Sequence, residues 1–160
     1  MTRTHRNSRA RPARRIAAGF TLIELMITVV VLAILTMIAV PIYEHEIQES
    51  RRTEARTALL ELAEREERYY ATNNAYTSNP ADLGYGTAAA PAAWPVTLSN
   101  GYYQIEATVP DPDLAAPSYL LTATAIGTQT ADTDCQIFTV DSTGVETSYN
   151  AAGTVTTDCW

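Results

Sequence analysis

Between Phe20 and Val40 the chain runs for 21 residues in which only Thr21, Glu24, Thr28 and Thr36 are not apolar and only Glu24 is charged. A helix rising about 1.5 Å per residue would just cross the roughly 30 Å hydrocarbon core of a bilayer over this length, so the stretch reads as a membrane span. Ahead of it stand Arg3, Arg6, Arg9, Arg11, Arg14 and Arg15 with no acidic residue. The positive-inside bias therefore places the N-terminus in the cytoplasm and everything after the span outside it. A secretory signal carries its small-residue cleavage site after the apolar core, but the Val40-Pro41-Ile42-Tyr43 exit has no such pattern. The small residues Ala17, Ala18 and Gly19 precede the core instead.

That order, a basic leader closed by Gly19, then Phe20 and Thr21-Leu22-Ile23-Glu24-Leu25-Met26, resembles the type IV prepilins. The likeness covers Gly19 to about Tyr43 closely and the remainder more loosely. It implies that a prepilin peptidase and methylase removes residues 1–19, cutting after Gly19 and methylating the amine of Phe20. Residues 20–43 would be kept, first as a transmembrane helix in the inner membrane and then as the core of an extracellular fibre built with other pilin subunits. Motility, adhesion and DNA uptake are the activities the family implies.

Glu24 has a physical reading beside this one, because a carboxylate near the end of a lone apolar helix costs free energy unless it finds a partner. Either it lies close enough to the interface to stay hydrated, or it waits for a partner that arrives on assembly. The amine created on Phe20 by cleavage, carried by a neighbouring subunit displaced along the fibre, is such a partner, and the pairing would enforce the stagger between subunits. Thr21 and Thr28 are expected to return hydroxyl bonds to helix carbonyls. Pro41 is expected to kink or loosen a helix that otherwise continues, since it removes a backbone donor and crowds the preceding turn.

Beyond the leader, 141 residues leave room for one domain beside the span. That part contains no Lys, only Arg51, Arg52, Arg56, Arg65 and Arg68, and all 18 acidic residues, a formal charge of −13 before termini and His45 are counted. Such a balance disfavours broad phosphate binding, so DNA is a possible partner that charge does not favour unless Arg51, Arg52 and Arg56 are exposed together. Cys135 and Cys159 both fall in the exported part, where disulfides persist, and no His lies near them to complete a zinc site. A bridge between them is expected.

The expected fold is α+β. An amphipathic helix over residues 44–72 carries Ile47, Ala55, Ala58, Leu59, Leu62, Ala63, Tyr69 and Tyr70 at helical spacing, with Glu49, Arg52, Arg56, Glu64, Glu67 and Arg68 read as a solvated face. Residues 73–101 are rich in turn formers and read as a loop anchored by Tyr76, Leu83 and Tyr85, with no confident element of its own. Residues 102–149 carry four strands, Tyr102 to Val109, Ser118 to Ile126, Gln136 to Val140 and Val145 to Tyr149, with Asp141-Ser142-Thr143-Gly144 as the last turn. One antiparallel sheet laid across the helical stripe buries both faces economically. With residues 135–159 as a disulfide-bounded loop at the C-terminal end, as the resemblance to pilins implies, this arrangement resembles the pilin fold. Trp160 either packs beside the bridge or lies exposed.

Catalytic chemistry finds little support. His45 is the only histidine after the leader and has no evident nucleophile partner. Asp111-Pro112-Asp113 and Asp132-Thr133-Asp134 offer oxygen ligands but match no defined calcium loop, and read as solvated loops. No catalytic residue, metal site or cofactor is expected. The reading is a pilus subunit, and a minor pilin because the stretch Tyr69 to Thr77 leading to Leu83-Gly84-Tyr85 resembles the helix exit of minor pilins and the chain carries Cys159-Trp160; a type II secretion pseudopilin, or a pilus-tip module binding DNA or surfaces, are the alternatives.

Overall fold

A computed structural model describes residues 19–87, 90–110 and 118–160. The chain separates into two compact units that divide at Pro41, one ending with that residue and one spanning Ile42–Trp160. A single helix, α1 (Leu22–Asn73), contributes to both and includes Pro41 without a break in its assignment.

In the first unit the helix has no cover. An 18-residue window reaches a mean hydropathy of 2.8 with none of it buried, and Phe20, Leu22, Ile23, Leu25 and Met26 are all exposed. Thr28 donates to the Leu25 carbonyl at 2.8 Å and Thr36 to those of Leu32 and Ala33 at 3.0 and 2.9 Å, so both hydroxyls are satisfied inside the helix, as an apolar solvent demands. Thr21 acts differently from the expectation. Its Oγ1 accepts from the Glu24 amide at 3.3 Å, which makes it the N-cap of a helix that begins one residue later.

In the second unit α1 buries Arg52, Ala55, Leu59, Leu62 and Glu66. Their alternating spacing of three and four marks one face of the helix. The apolar centre of that stripe is as expected, but both of its ends are charged. Arg52 is therefore a correction to the reading of the charged residues as a solvated face, and Glu66, which that reading did not name, is buried as well. The helix stops where Asn74 takes a positive φ of 55°, its amide bonding the Tyr70 carbonyl at 2.8 Å, a conformation that Asn tolerates better than most residues.

The loop that follows is held at several points. Leu83 is buried, and Tyr76 and Tyr85 pack half-buried against the core. Arg65 donates to the Leu83 carbonyl at 2.7 Å and to Glu61 at 2.6 Å, and lies over the Tyr85 ring. Gly84 takes a φ of 81°, a left-handed conformation that strains residues with a Cβ, and lies beside the Arg65 guanidinium. Contrary to the reading as pure loop, the segment carries three two-residue strands, β1 (Gly86–Thr87) paired with β2 (Ala90–Pro91), and β3 (Val96–Thr97).

Strand β3 opens a sheet continued by β4 (Tyr103–Thr108), β5 (Leu120–Ala125), β6 (Ile137–Asp141), β7 (Glu146–Tyr149) and β8 (Val155–Thr156), every neighbouring pair antiparallel. A 3-10 helix, Gly127–Ala131, lies between β5 and β6. Among the described residues the sheet thus has six strands, not the four expected. The four long ones are where alternation predicts them; β3 and β8 are too short to show a period, and exist because β4 and β7 offer free edges beside well-placed turns. The turn before β8 is made by Asn150, whose Oδ1 accepts from the amides of Ala152 and Thr154 at 3.0 and 2.9 Å.

Register places Tyr103 opposite Ala125, Ile105 opposite Ala123, and Ala123 opposite Phe138 on the buried face. These residues with Ala55, Leu59 and Leu62 of the helix form the core of this unit. Cys135 and Cys159 are bonded, 24 residues apart with Cα atoms 5.7 Å from one another, and both are buried. Trp160 packs edge-on against Phe138 at 5.8 Å, the first of its two expected fates. The bond ties β8, an edge of only two residues, to the entrance of β6. Cys135→Ser should therefore lower the unfolding free energy of the detergent-solubilised chain by about 2 to 5 kcal/mol, mostly through the freed unfolded chain. Denaturant titration checks this; a change below about 0.5 kcal/mol would show that the last hairpin holds without it.

Candidate functional site

Two regions contain the residues singled out by sequence. In the first, Gly19, Phe20 and Thr21 all precede the helix, so the bond between Gly19 and Phe20 lies in non-helical backbone with both residues exposed. Phe20 is 85% exposed and no neighbour stands within 4 Å of a Cβ built at Gly19. Glu24 sits at the third helical position, where a negative charge is favoured by the helix dipole. Within the first unit it has no ion-pair partner among the described residues.

The second region is the arginine-bearing part of α1. Arg52 is buried: its Nε and Nη2 donate to the two carboxylate oxygens of Asp132 at 2.7 and 2.8 Å, a bidentate pair. The Gln129 Nε2 donates to the same carboxylate at 3.2 Å and to the Gln48 carbonyl at 3.3 Å, so the pair belongs to a network joining the helix to the 3-10 segment. The bond to Asp132 holds the Arg52 guanidinium above its ordinary pKa, against the opposing effect of burial. Asp132 is thereby removed from the solvated, calcium-capable loop in which sequence placed it. Asp111 and Asp113 lie outside the described residues, and among the described residues no three His, Cys, Asp or Glu side chains are grouped to hold a metal ion.

The remaining arginines do not form a basic patch. Arg65 and Arg68 are paired with Glu61 and Glu64. Arg51 lies over the Tyr102 ring at 3.7 Å and donates to the Thr128 hydroxyl at 3.3 Å, while Arg56 turns its Nε inward. These two are the arginines without a carboxylate partner among the described residues. The exposed trio Arg51, Arg52, Arg56 considered as a DNA-binding possibility is therefore broken at its middle member. His45 lines a cavity of about 430 Å³ with Glu49, Asp134, Asn150, Thr156 and the disulfide. Both cysteines there are bonded and unavailable as nucleophiles.

Residues 14–40 match the prokaryotic N-terminal methylation motif, and residues 41–139 match the family described as type IV minor pilin ComP, DNA uptake sequence receptor. The chain belongs to the ComP family of type IV minor pilins. No curated protein matches it. The methylation motif alone would be shared with the secretion pseudopilins; the second match, which spans most of the helix-and-sheet unit, separates the chain from them. As a ComP-family minor pilin it is an inner-membrane prepilin that passes into an extracellular pilus, and its partners are other pilins and the peptidase that processes it. The family match ends at Thr139, before β7, β8 and Cys159, so the hairpin stapled by the disulfide lies beyond it. Two buried charged features escaped sequence reasoning, the Arg52–Asp132 pair and Glu66. Both sit on the apolar stripe at i+3 and i+4 spacing, which was the one available signal.

Proposed function

We propose that residues 1–19 are removed, that residues 20–43 form the fibre core and that residues 44–160 are the displayed unit, a structural and binding module with no catalytic role. Glu24 of one subunit pairs with the Phe20 amine of another, and Pro41 marks where the two parts of the helix divide. The observation that supports this is an apolar helix half that the described residues leave exposed, with one carboxylate that has no ion-pair partner among them.

We further propose that this minor pilin contacts DNA in the pilus, as its family's description states for ComP, but through few phosphates. Among the described residues, Arg51 and Arg56 are the arginines without a carboxylate partner, in a displayed unit that is otherwise acidic. The logarithm of the DNA affinity should then fall against the logarithm of salt concentration with a slope of about −2 or shallower, near −0.9 per neutralised phosphate. The measurement is retention of labelled duplex fragments from the producing organism on purified fibres across a salt series, with Arg51→Ala as control. The variant should reduce the slope by about 1. A slope beyond about −4 would mean a basic surface supplied by another subunit, and absence of binding would remove the DNA reading from this chain.

A further inference from the structure

Glu66 is fully buried in the second unit, on the helix face where Leu59 and Leu62 meet the sheet. Its Oε2 accepts one bond, from the Thr77 amide at 3.2 Å, and its Oε1 has no partner among the described residues. Among the described residues no arginine pairs with it. An ionised carboxylate needs several donors to replace its lost hydration, and one amide is too few. A neutral carboxyl at the same place costs far less.

The groups around it do not supply the missing charge. On the helix, Glu67 is its neighbour and Tyr70 stacks on Tyr76 at 4.7 Å. From the loop, Tyr76 donates to Glu67 at 2.9 Å and Asp82 bonds the Thr77 hydroxyl at 3.2 Å. From the sheet side Tyr119, just ahead of β5, meets Tyr76 edge-on at 4.8 Å. The titratable groups that share its electrostatics are thus the carboxylate of Glu67 and the phenols of Tyr76 and Tyr119, and no cation among the described residues is paired with it. Burial pushes the phenol of Tyr76 up to about 12 and raises that of Tyr119 as well, so neither titrates near neutrality.

The segment that Glu66 holds has independent anchors on both sides. Asn74 caps the helix with its positive φ, and Arg65 grips the Leu83 carbonyl. Between them, Thr77 is the residue whose amide meets the buried carboxyl, and its hydroxyl in turn accepts from the Asn79 amide at 3.0 Å. We propose that Glu66 is a protonation-dependent latch on the segment from Asn74 to Asp82, closed while the buried carboxyl is neutral and released when it ionises. Burial, followed by the nearby Glu67 charge, raises its pKa to about 7, with the Thr77 amide opposing. The folded-state value is thus above that of a hydrated carboxyl. The stabilisation is complete below the hydrated pKa and is lost as pH rises through about 7. A pilus displaying this unit would present its helix-exit surface ordered in acid and loosened in mild alkali.

The test is amide hydrogen exchange at Thr77 in the full mature chain in detergent micelles, corrected for the intrinsic pH dependence of exchange. With a hydrated carboxyl in the open form, the Thr77 protection factor should fall about 30-fold between about pH 5.5 and about pH 8.5. Glu66→Gln should abolish that fall while keeping an acceptor for the Thr77 amide, and Glu67→Gln should retain it. Constant protection in the parent, or an undiminished fall in Glu66→Gln, overturns the latch. Where Glu66→Gln does not fold, the carboxyl carbon resonance of Glu66 in the parent decides: a midpoint near 7 supports the proposal, and one in the ordinary carboxylate range overturns it.

Discussion

Expressed as the only copy, Glu24→Val should reach the inner membrane at the parental level and be depleted from fibres by at least tenfold. In the membrane the change removes a charge from an apolar helix, which lipid tolerates or prefers. The core of the displayed unit is built from Ala55 onward, so its folding should be unchanged. In the fibre the situation inverts. The Phe20 amine, once freed by cleavage, would be buried among apolar helices with no counter-charge, and breaking a buried pair costs about 3 to 5 kcal/mol. At about 1.4 kcal/mol per tenfold that is sufficient to exclude the variant from assembly. Quantifying membrane and fibre fractions checks the expectation, and the mass of the fibre form should begin at a methylated Phe20. Equal incorporation of the variant would show that side-chain packing, not the ion pair, sets the stagger.

Asp132→Ala should destabilise the displayed unit by about 3 to 5 kcal/mol, because it strands the Arg52 guanidinium in a site with few other acceptors. The Arg52 and Asp132 side chains are 9% and 2% exposed, so solvent screening offers little relief. Gln129, which donates to Asp132, would lose an acceptor as well. Denaturant unfolding of the detergent-solubilised chain measures the loss. The informative companion is the double variant Arg52→Met with Asp132→Leu, which removes both charges and should recover most of the stability, as buried pairs replaced by apolar residues commonly do. If the single variant is as stable as the parent, the bidentate pair contributes geometry without energy. If the double variant is no better than the single, the network around Gln129 is what the site requires.

Much of this protein could be read along one dimension. Whether a helix suits lipid depends on length and polarity, so the span from Phe20 to Val40, the arginine leader, the small residue Gly19 and the odd charge of Glu24 are visible without a fold. The four long strands declare themselves through alternation, and the cysteine pair through its number and compartment. Tertiary structure decided what periodicity cannot express. Arg52 and Glu66 look like surface residues because their type says so, yet both are buried on the helix face that carries Ala55, Leu59 and Leu62. Each is buried with a partner distant in sequence, Asp132 for one and the Thr77 amide for the other. Likewise β3 and β8 have two residues each, too few to carry a period, and are strands only because β4 and β7 present edges to them. A residue's own chemistry sets its cost of burial, but which residues are buried follows from what lands opposite them, and that is a property of the assembled chain.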